Sequence, residues 1–359
     1  MPPPQRWIAR RPGDTIPPMF ALLLSLFLIA GADPRPGPWP PRGYACARTT
    51  GEIVIDGVPD EPGWSGAQWT DLFVDIEGDR KPAPTFETRA KMAWDDEHFY
   101  VAARLIEPHL WATLEKRDSV IYYDNDFEVF LDPDGDSHLY TEIELNALNT
   151  VWDLLLVKPY RDGAPAIHAW DIPGLRTAVH LEGTLNDPSD TDREWTVEIA
   201  IPFAVIAETT DAACPPEPGD RWRVNFSRVQ WDLEVFDGAY RKIDAPEHNW
   251  VWSPQREIAM HEPEHWGIVE FVESPGADPA AGVENAAEWH LRYASYQLAG
   301  LRDGGWPLDF EYIAPEAGPG QPGPVSYWSD GARYTLRLEA GGDVFSLTED
   351  GRFLSPVRH

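Results

Sequence analysis

The chain is short of four things, and each shortage removes a class of explanation. Only 2 of its 359 residues are cysteine, which excludes a disulfide-stapled miniature scaffold and leaves room for one intramolecular bridge, Cys46 to Cys214, or for two free thiols in an exported chain. Basic residues number 29 against 60 acidic ones, a formal net charge of −31. Without Lys and Arg clusters there is no counterion-releasing surface for nucleic acid or an anionic membrane. No apolar run approaches the roughly 18 residues that cross a bilayer as a helix. Methionine is scarce as well, with 4 residues, so a haem-binding electron-transfer sandwich would depend on histidine for axial ligands. The sequence also has no C-x-x-C pair, G-x-S-x-G elbow or Gly-rich phosphate loop.

Aromatic residues are plentiful instead. The 17 Trp, 12 Tyr and 14 Phe exceed what packing alone needs in a chain that is 43% hydrophobic, which predicts that some rings face solvent and stack on flat ligands. With nucleic acid excluded by charge, sugars remain.

Organisation follows from composition read along the chain. Residues 20–30 are apolar except for Ser25, preceded by Arg10 and Arg11 and closed by Ala30-Gly31-Ala32. This is the pattern of a secretory signal over residues 1–32, with Met19 as an alternative start, and it predicts a secreted or periplasmic protein without a membrane span in the mature chain. Residues 33–50 are a Pro-rich tether. From 51 to 273, short alternating segments are separated by Gly, Pro, Asp and Asn: 52–55, 72–75, 88–94, 98–105, 127–131, 139–145, 151–157, 176–182, 195–201, 222–229 and 267–271. Such spacing predicts an all-β fold, an antiparallel β-sandwich with jelly-roll or Greek-key connections. Residues 274–359 differ. Ala287, Leu291, Ala294, Leu298 and Leu301 recur at helical spacing behind an Asn285/Glu288 capping box, and a β-hairpin is predicted around Gly341-Gly342, with 351–354 as a further strand.

The stretch 122–136, Y-Y-D-N-D-F-E-V-F-L-D-P-D-G-D, concentrates the chemistry. Alternation places Phe127, Val129 and Leu131 on one side and Glu128 and Phe130 on the other. In the next segment Tyr140, Glu142, Glu144 and Asn146 share one face, opposite Thr141, Ile143 and Leu145. Asp132, Asp134 and Asp136 alternate as in a calcium loop, although Ser137 and Ile143 stand where an EF-hand has Gly and Glu. His261-Glu262-Pro263-Glu264-His265 matches H-E-x-x-H, but Pro263 interrupts the helix that zinc binding by that motif requires. Trp94, Trp195 and Trp222 fall in strand patterns and are expected in the core. Trp152, Trp170, Trp231, Trp250 and Trp252 lie near strand ends or in loops and are candidate ligand rings.

Seven segments, taken in order, resemble the family 9 carbohydrate-binding modules and in particular secreted proteins of that type with a C-terminal extension: I-V-I-D-G-V-P-D-E-P-G-W (53–64), K-M-A-W-D-D-E-H-F-Y-V-A-A (91–103), D-N-D-F-E-V-F-L-D-P-D-G-D (124–136), L-Y-T-E-I-E-L-N (139–146), G-D-R-W-R-V-N-F-S-R-V-Q-W (219–231), N-W-V-W-S-P (249–254) and M-H-E-P-E-H-W-G-I-V-E-F (260–271). The resemblance implies a sandwich that holds sugar between aromatic rings, frequently with bound calcium. It assigns Glu128 to the sugar hydroxyls, Tyr122 to one stacking ring, Trp250 or Trp252 to the other and Arg228 to a polar contact. Glu144 departs from the pattern, since sugar-binding members carry a cationic or amide side chain there.

The expectation is non-covalent carbohydrate binding in support of carbohydrate catabolism, with no required cofactor, calcium at Asp132, Asp134 and Asp136, and a separate glycoside hydrolase as partner. Tyr122, Glu128, Glu142, Asn146, Arg228, Trp250 and Trp252 form the expected site. Two alternatives stay open: a glycoside hydrolase using a pair among Glu128, Glu142 and Glu144, and the haem sandwich.

Overall fold

The computed structural model describes residues 41–163, 165–276, 286–314 and 323–355. The signal segment, most of the tether and Asn285 of the capping box lie outside the described residues.

Alternation along the chain builds one continuous, curled sheet. Its strands are β1 (Gly43–Arg48), β2 (Val74–Asp75), β3 (Thr88–Trp94), β4 (His98–Ile106), β5 (Asp126–Asp132), β6 (Tyr140–Asn146), β7 (Val151–Leu156), β8 (Ala166–Ile167), β9 (Arg176–Glu182), β10 (Glu194–Pro202), β11 (Arg221–Gln230), β14 (His248–Val251) and β15 (Gly267–Val272). The order is β8-β7-β6-β5-β11-β15-β1-β3-β4-β10-β9, with β14 beside β11 and β2 beside β14. Pairing is antiparallel except where β1 runs parallel to both β15 and β3. The sheet doubles over, so that Phe127, Val129 and Leu131 of β5 share one core with Met92, Val101, Leu105 and Ile199 from β3, β4 and β10. This is the expected antiparallel β-sandwich.

Two expectations shift at its start. Gly43–Arg48, at the end of the Pro-rich composition, is the edge-joining strand β1: Tyr44 and Cys46 alternate into the core and fix its register. Residues 52–55, expected as a strand, are not in one. Cys46 is sealed in the core, Cys214 lies half-buried in its loop, and both thiols are free, so the bridge expected as one alternative is not formed.

Local chemistry explains the turns. Asp95 closes the β3–β4 hairpin by accepting the backbone N–H groups of Glu97 (2.8 Å) and His98 (2.7 Å). Gly267 is needed for a close approach, because a Cβ there would lie 2.2 Å from a ring carbon of Trp252. Gly267→Ala is therefore expected to cost about 1–3 kcal/mol through overpacking, measurable as a lowered midpoint in urea.

Beyond the sandwich, α1 is the short turn Phe203–Ile206 and α2 is Ala286–Gly300. Small hairpin β12–β13 (Leu233–Phe236, Ala239–Lys242) was not evident from the sequence. The C-terminal strands β16 (Val325–Ser329), β17 (Tyr334–Ala340), β18 (Asp343–Thr348) and β19 (Phe353–Leu354) form a four-stranded sheet, with Gly341 and Gly342 at positive φ in the β17–β18 turn. The helix α2 packs Ala287, Leu291, Ala294 and Leu298 against Tyr334, Leu336, Leu338 and Leu347 of that sheet. Charged side chains tie the extension to the sandwich: Arg223 donates to Glu288 (2.7 Å), Arg292, which also holds Glu288 within α2 (2.9 Å), donates to the Ser137 hydroxyl (2.9 Å), and Arg352 donates to Asp136 (2.7 Å).

Candidate functional site: an acidic sheet face under tyrosine rings

Register decides which side chains can meet. Glu128 lies opposite Glu144, Phe130 opposite Glu142 and Asp126 opposite Asn146 across β5–β6, while Ser227 of β11 lies opposite Glu128 on the other side. All of these face away from the main core. Phe130, Tyr140, Trp152 and Leu154 form a second apolar cluster on the same face with Ile121 and Trp266, and it surrounds the acids. Asp126, Glu128, Glu142 and Glu144 are all 5% exposed or less.

Their electrostatics follow from this crowding. Burial, reinforced by neighbouring carboxylates, pushes Asp126, Glu142 and Glu144 well above the usual carboxylate range. Burial pushes Glu128 up to about 7, with the nearby Ser227 hydroxyl opposing it. Among the described residues, the ion-pairing contact within 4 Å of these four is the His261 ring, with Nε2 3.9 Å from Glu142. Burial lowers His261 to about 3, so it stays neutral, and its Nδ1 is hydrogen-bonded to the Tyr140 hydroxyl at 3.0 Å.

Above the acids stand exposed rings. Tyr122 is 36% exposed and Tyr160 49% exposed. A short 3₁₀ turn (Ile121–Tyr123) presents Tyr122, whose N–H donates to Glu144 (3.0 Å) and whose carbonyl accepts from the Trp231 indole (2.9 Å). Lys242 of β13 steadies the neighbouring carbonyl of Tyr123 (2.7 Å) and lies 3.7 Å above the Trp231 ring. Asp124 anchors the base of the turn by accepting from the N–H groups of Thr113 (2.7 Å) and Leu114 (2.8 Å). Tyr160 follows Pro159 just beyond β7. Its ring packs edge-on to His261 at 4.4 Å, and burial, then Glu142, Glu144 and Tyr122, raise its phenol to about 12. Tyr160 is the ring that strand patterns miss; an aromatic directly after a proline at a strand end is its signal in the sequence.

Of the expected site residues, Tyr122, Glu128 and Glu142 come together here, and four others do not. Trp250 and Trp252 are 3% and 1% exposed in the main core, because β14 pairs with β11 and turns Trp250 inward beside Arg228. Arg228 alternates to the face opposite Glu128; it is 1% exposed and paired with Glu107 at 2.9 Å. Asn146 is spent on structure, donating to Leu114 O (2.9 Å) and Asp124 (3.0 Å) and accepting from Leu148 and Thr150 N–H groups (3.0 and 3.1 Å). Among the other candidate rings, Trp152 is buried against His168 and Trp170 packs on the main core, leaving Trp231 beside the site. Trp94, Trp195 and Trp222 are in the core, as their strand patterns require.

The two metal-like motifs fold differently from one another. Pro263–His265 is a single 3₁₀ turn, His261 is engaged by the Tyr140 hydroxyl and His265 lies 3.7 Å from Glu262, so the two histidines do not share the helical face that zinc binding by this motif requires. At the other motif, oxygens of Asp132, Asp134 and Asp136 converge within 4.8 Å. There Asp132 accepts from Gly135 and Ser137 N–H groups (3.1 and 2.9 Å), and Asp136 from Arg352. The all-oxygen donor set fits calcium, with one of its charges already offset by arginine.

None of the curated proteins matches the chain. Among solved structures, a family 9 carbohydrate-binding module from Caldicellulosiruptor kristjanssonii in complex with cellotriose is 18% identical over 67% of this chain and 96% of its own, with a TM-score of 0.40. The module from that organism in complex with glucose is 19% identical over 66% and 100%, at 0.42. A candidate carbohydrate-binding protein from Bacteroides uniformis is 16% identical over 64% and 99%, at 0.48. The sequence model described as carbohydrate family 9 binding domain-like matches residues 55–274. That span runs from just after β1 to the end of β15, across the acidic face and most of its covering loops, and the protein belongs to this carbohydrate family 9 binding domain-like family.

Proposed function

We propose that the protein binds carbohydrate non-covalently on the face carrying Glu128 and Glu142, with Tyr122 and Tyr160 as its aromatic platform. One observation carries this most directly: two exposed tyrosine rings stand over hydrogen-bonding side chains on a rigid sheet. Rings of that kind cover the apolar faces of a sugar while fixed carboxyls read its hydroxyls. Export through the apolar segment 20–30, calcium at Asp132, Asp134 and Asp136, and action alongside a separate glycoside hydrolase in carbohydrate catabolism belong to the same proposal.

Hydrolysis is the second reading, supported by Glu128 and Glu144 facing one another directly across β5–β6. Their near-complete burial counts against it, since a catalytic pair must flank a scissile bond. Of the axial ligands a haem would need, Met92 is sealed in the core and His261 is engaged by Tyr140.

A glycan array followed by titration calorimetry tests the proposal. Tyr122→Ala and Tyr160→Ala are each expected to weaken the best glycan about tenfold, roughly 1.4 kcal/mol, with unfolding midpoints unchanged. Failure of every glycan to bind would reject sugar recognition. Release of reducing ends by the wild type but not by Glu128→Gln would replace binding with hydrolysis.

A further inference from the structure

We propose that Asp126, Glu128 and Glu144 form a binding site for a hard divalent cation of the calcium, magnesium or manganese class, distinct from the Asp132–Asp136 turn. Alternate residues of β5 and the residue opposite on β6 bring one carboxylate oxygen from each of the three within 4.8 Å of the others. An acidic cluster alone would not make a site. Here, however, Asp126 Oδ2 has no hydrogen-bond partner although the residue is 0% exposed, while its Oδ1 accepts the Val229 N–H at 3.1 Å. A buried acceptor left in this state costs free energy that a bound ion recovers.

The other acidic clusters among the described residues have partners of their own. Arg161 neutralises Glu264, Arg117 pairs with Asp153 and Asp171, and Glu198 is occupied by the Trp64 indole (2.7 Å) and the N–H groups of Asp56 (3.1 Å) and Gly57 (2.9 Å). At the turn, backbone donors and Arg352 hold Asp132 and Asp136. The cluster on β5 and β6 has no Lys or Arg within ion-pairing distance among the described residues. Each of its three acids is almost wholly enclosed, a setting in which a small ion can be held by all three. The donors are all oxygen, with no thiolate or imidazole in the set, and this selects hard cations over zinc or copper. One Glu144 oxygen is held by the Tyr122 N–H, so loading the ion also firms the turn that presents that ring. The site stands whether or not the ligand above it is a sugar.

Full-length protein stripped with EDTA and titrated with Ca²⁺, Mg²⁺ and Mn²⁺ separately tests this, with calorimetry for affinity and elemental analysis for stoichiometry. Wild type is expected to bind one more ion than Glu144→Gln and Asp126→Asn, or to bind it at least about tenfold more tightly, whereas Asp134→Asn keeps that ion. In EDTA the two amide variants are expected to melt at or above the wild-type temperature, because each puts a neutral side chain of the same shape in the enclosed site, so lost binding cannot be ascribed to misfolding. The site is disproved if wild type binds none of the three ions, or if Asp134→Asn loses the ion that Glu144→Gln and Asp126→Asn retain.

Discussion

Arg228→Met is expected to destabilise the protein by about 3–5 kcal/mol, read as a lowered urea midpoint at unchanged m-value, the range for breaking a buried ion pair by removing one partner. The guanidinium satisfies every direction open to it: Gln230 at 2.7 and 3.0 Å, the Thr88 hydroxyl at 3.0 Å, the Ile106 carbonyl at 3.0 Å and Glu107 at 2.9 Å. It also lies 5.2 Å from the Trp250 ring centroid and 5.7 Å from that of Phe86. Desolvation lowers Arg228 and raises Glu107, with each partner offsetting the other's shift. Removing the arginine therefore leaves a buried carboxylate with its penalty and without its counterion. Methionine keeps much of the stem's packing, so the loss reports charge more than volume. Adding Glu107→Gln to the same chain should recover part of the stability, because the uncompensated charge is then gone. A ligand-facing arginine would behave in the opposite way, with stability unchanged and glycan affinity reduced; that result would return Arg228 to the binding site.

The fate of Arg228 shows where sequence reading succeeds and where it stops. Period-two alternation correctly divides β5 into Phe127, Val129, Leu131 and Glu128, Phe130, and β6 into its two faces. That pattern is local and survives folding. Which of the two faces reaches solvent is decided by distant elements. The β6 face carrying Glu142 and Glu144 looks like a wet polar surface in one dimension, yet Trp152 of β7, Trp266 and the turn at Ile121 cover it. Trp250 and Trp252 lie in a short segment rich in polar residues, and only the pairing of β14 with β11 turns them inward. Strand β1 was hidden for the opposite reason: proline-rich flanks mask an alternation of only six residues, and its parallel partners are 45 or more positions away in sequence. The Gly341-Gly342 hairpin is legible because glycine acts through its own backbone. Tyr160 belongs to the first group of misses: nothing local links it to Glu142, and His261 brings them together.

Acidification from pH 7 to 5 is expected to loosen α2 from the sandwich, and His265 is the group that sets the window. It lies among Glu264, Arg161, Arg292 and Arg223, and burial lowers it to about 4 from an ordinary 6.5. The folded state thus refuses a proton that the unfolded chain accepts. His265 contributes its stability in full above pH 6.5 and loses it as pH falls through 6.5 toward 4, roughly 3 kcal/mol in all and about 2 kcal/mol by pH 5. Glu264 and Glu288 are held low by the arginines around them, so their stability is present above about 4.5 and is lost only below it. These losses add at one junction, where Arg223 of β11 binds Glu288 of α2 and Arg292 of α2 braces the same carboxylate. On the acidic face the sign is reversed: carboxyls with raised values lose stability as pH rises from the unfolded value, and for Glu128 the window runs from about 4.5 to about 7. A global melting curve would mix the two, so the measurement must be local. Hydrogen exchange in Ala286–Gly300, corrected for intrinsic rates, should lose about thirtyfold protection between pH 7 and 5 in wild type, the equivalent of 2 kcal/mol. His265→Gln, which cannot take the proton, should lose far less. Equal losses in both proteins would remove His265 as the cause and place the acid sensitivity on the carboxylates alone.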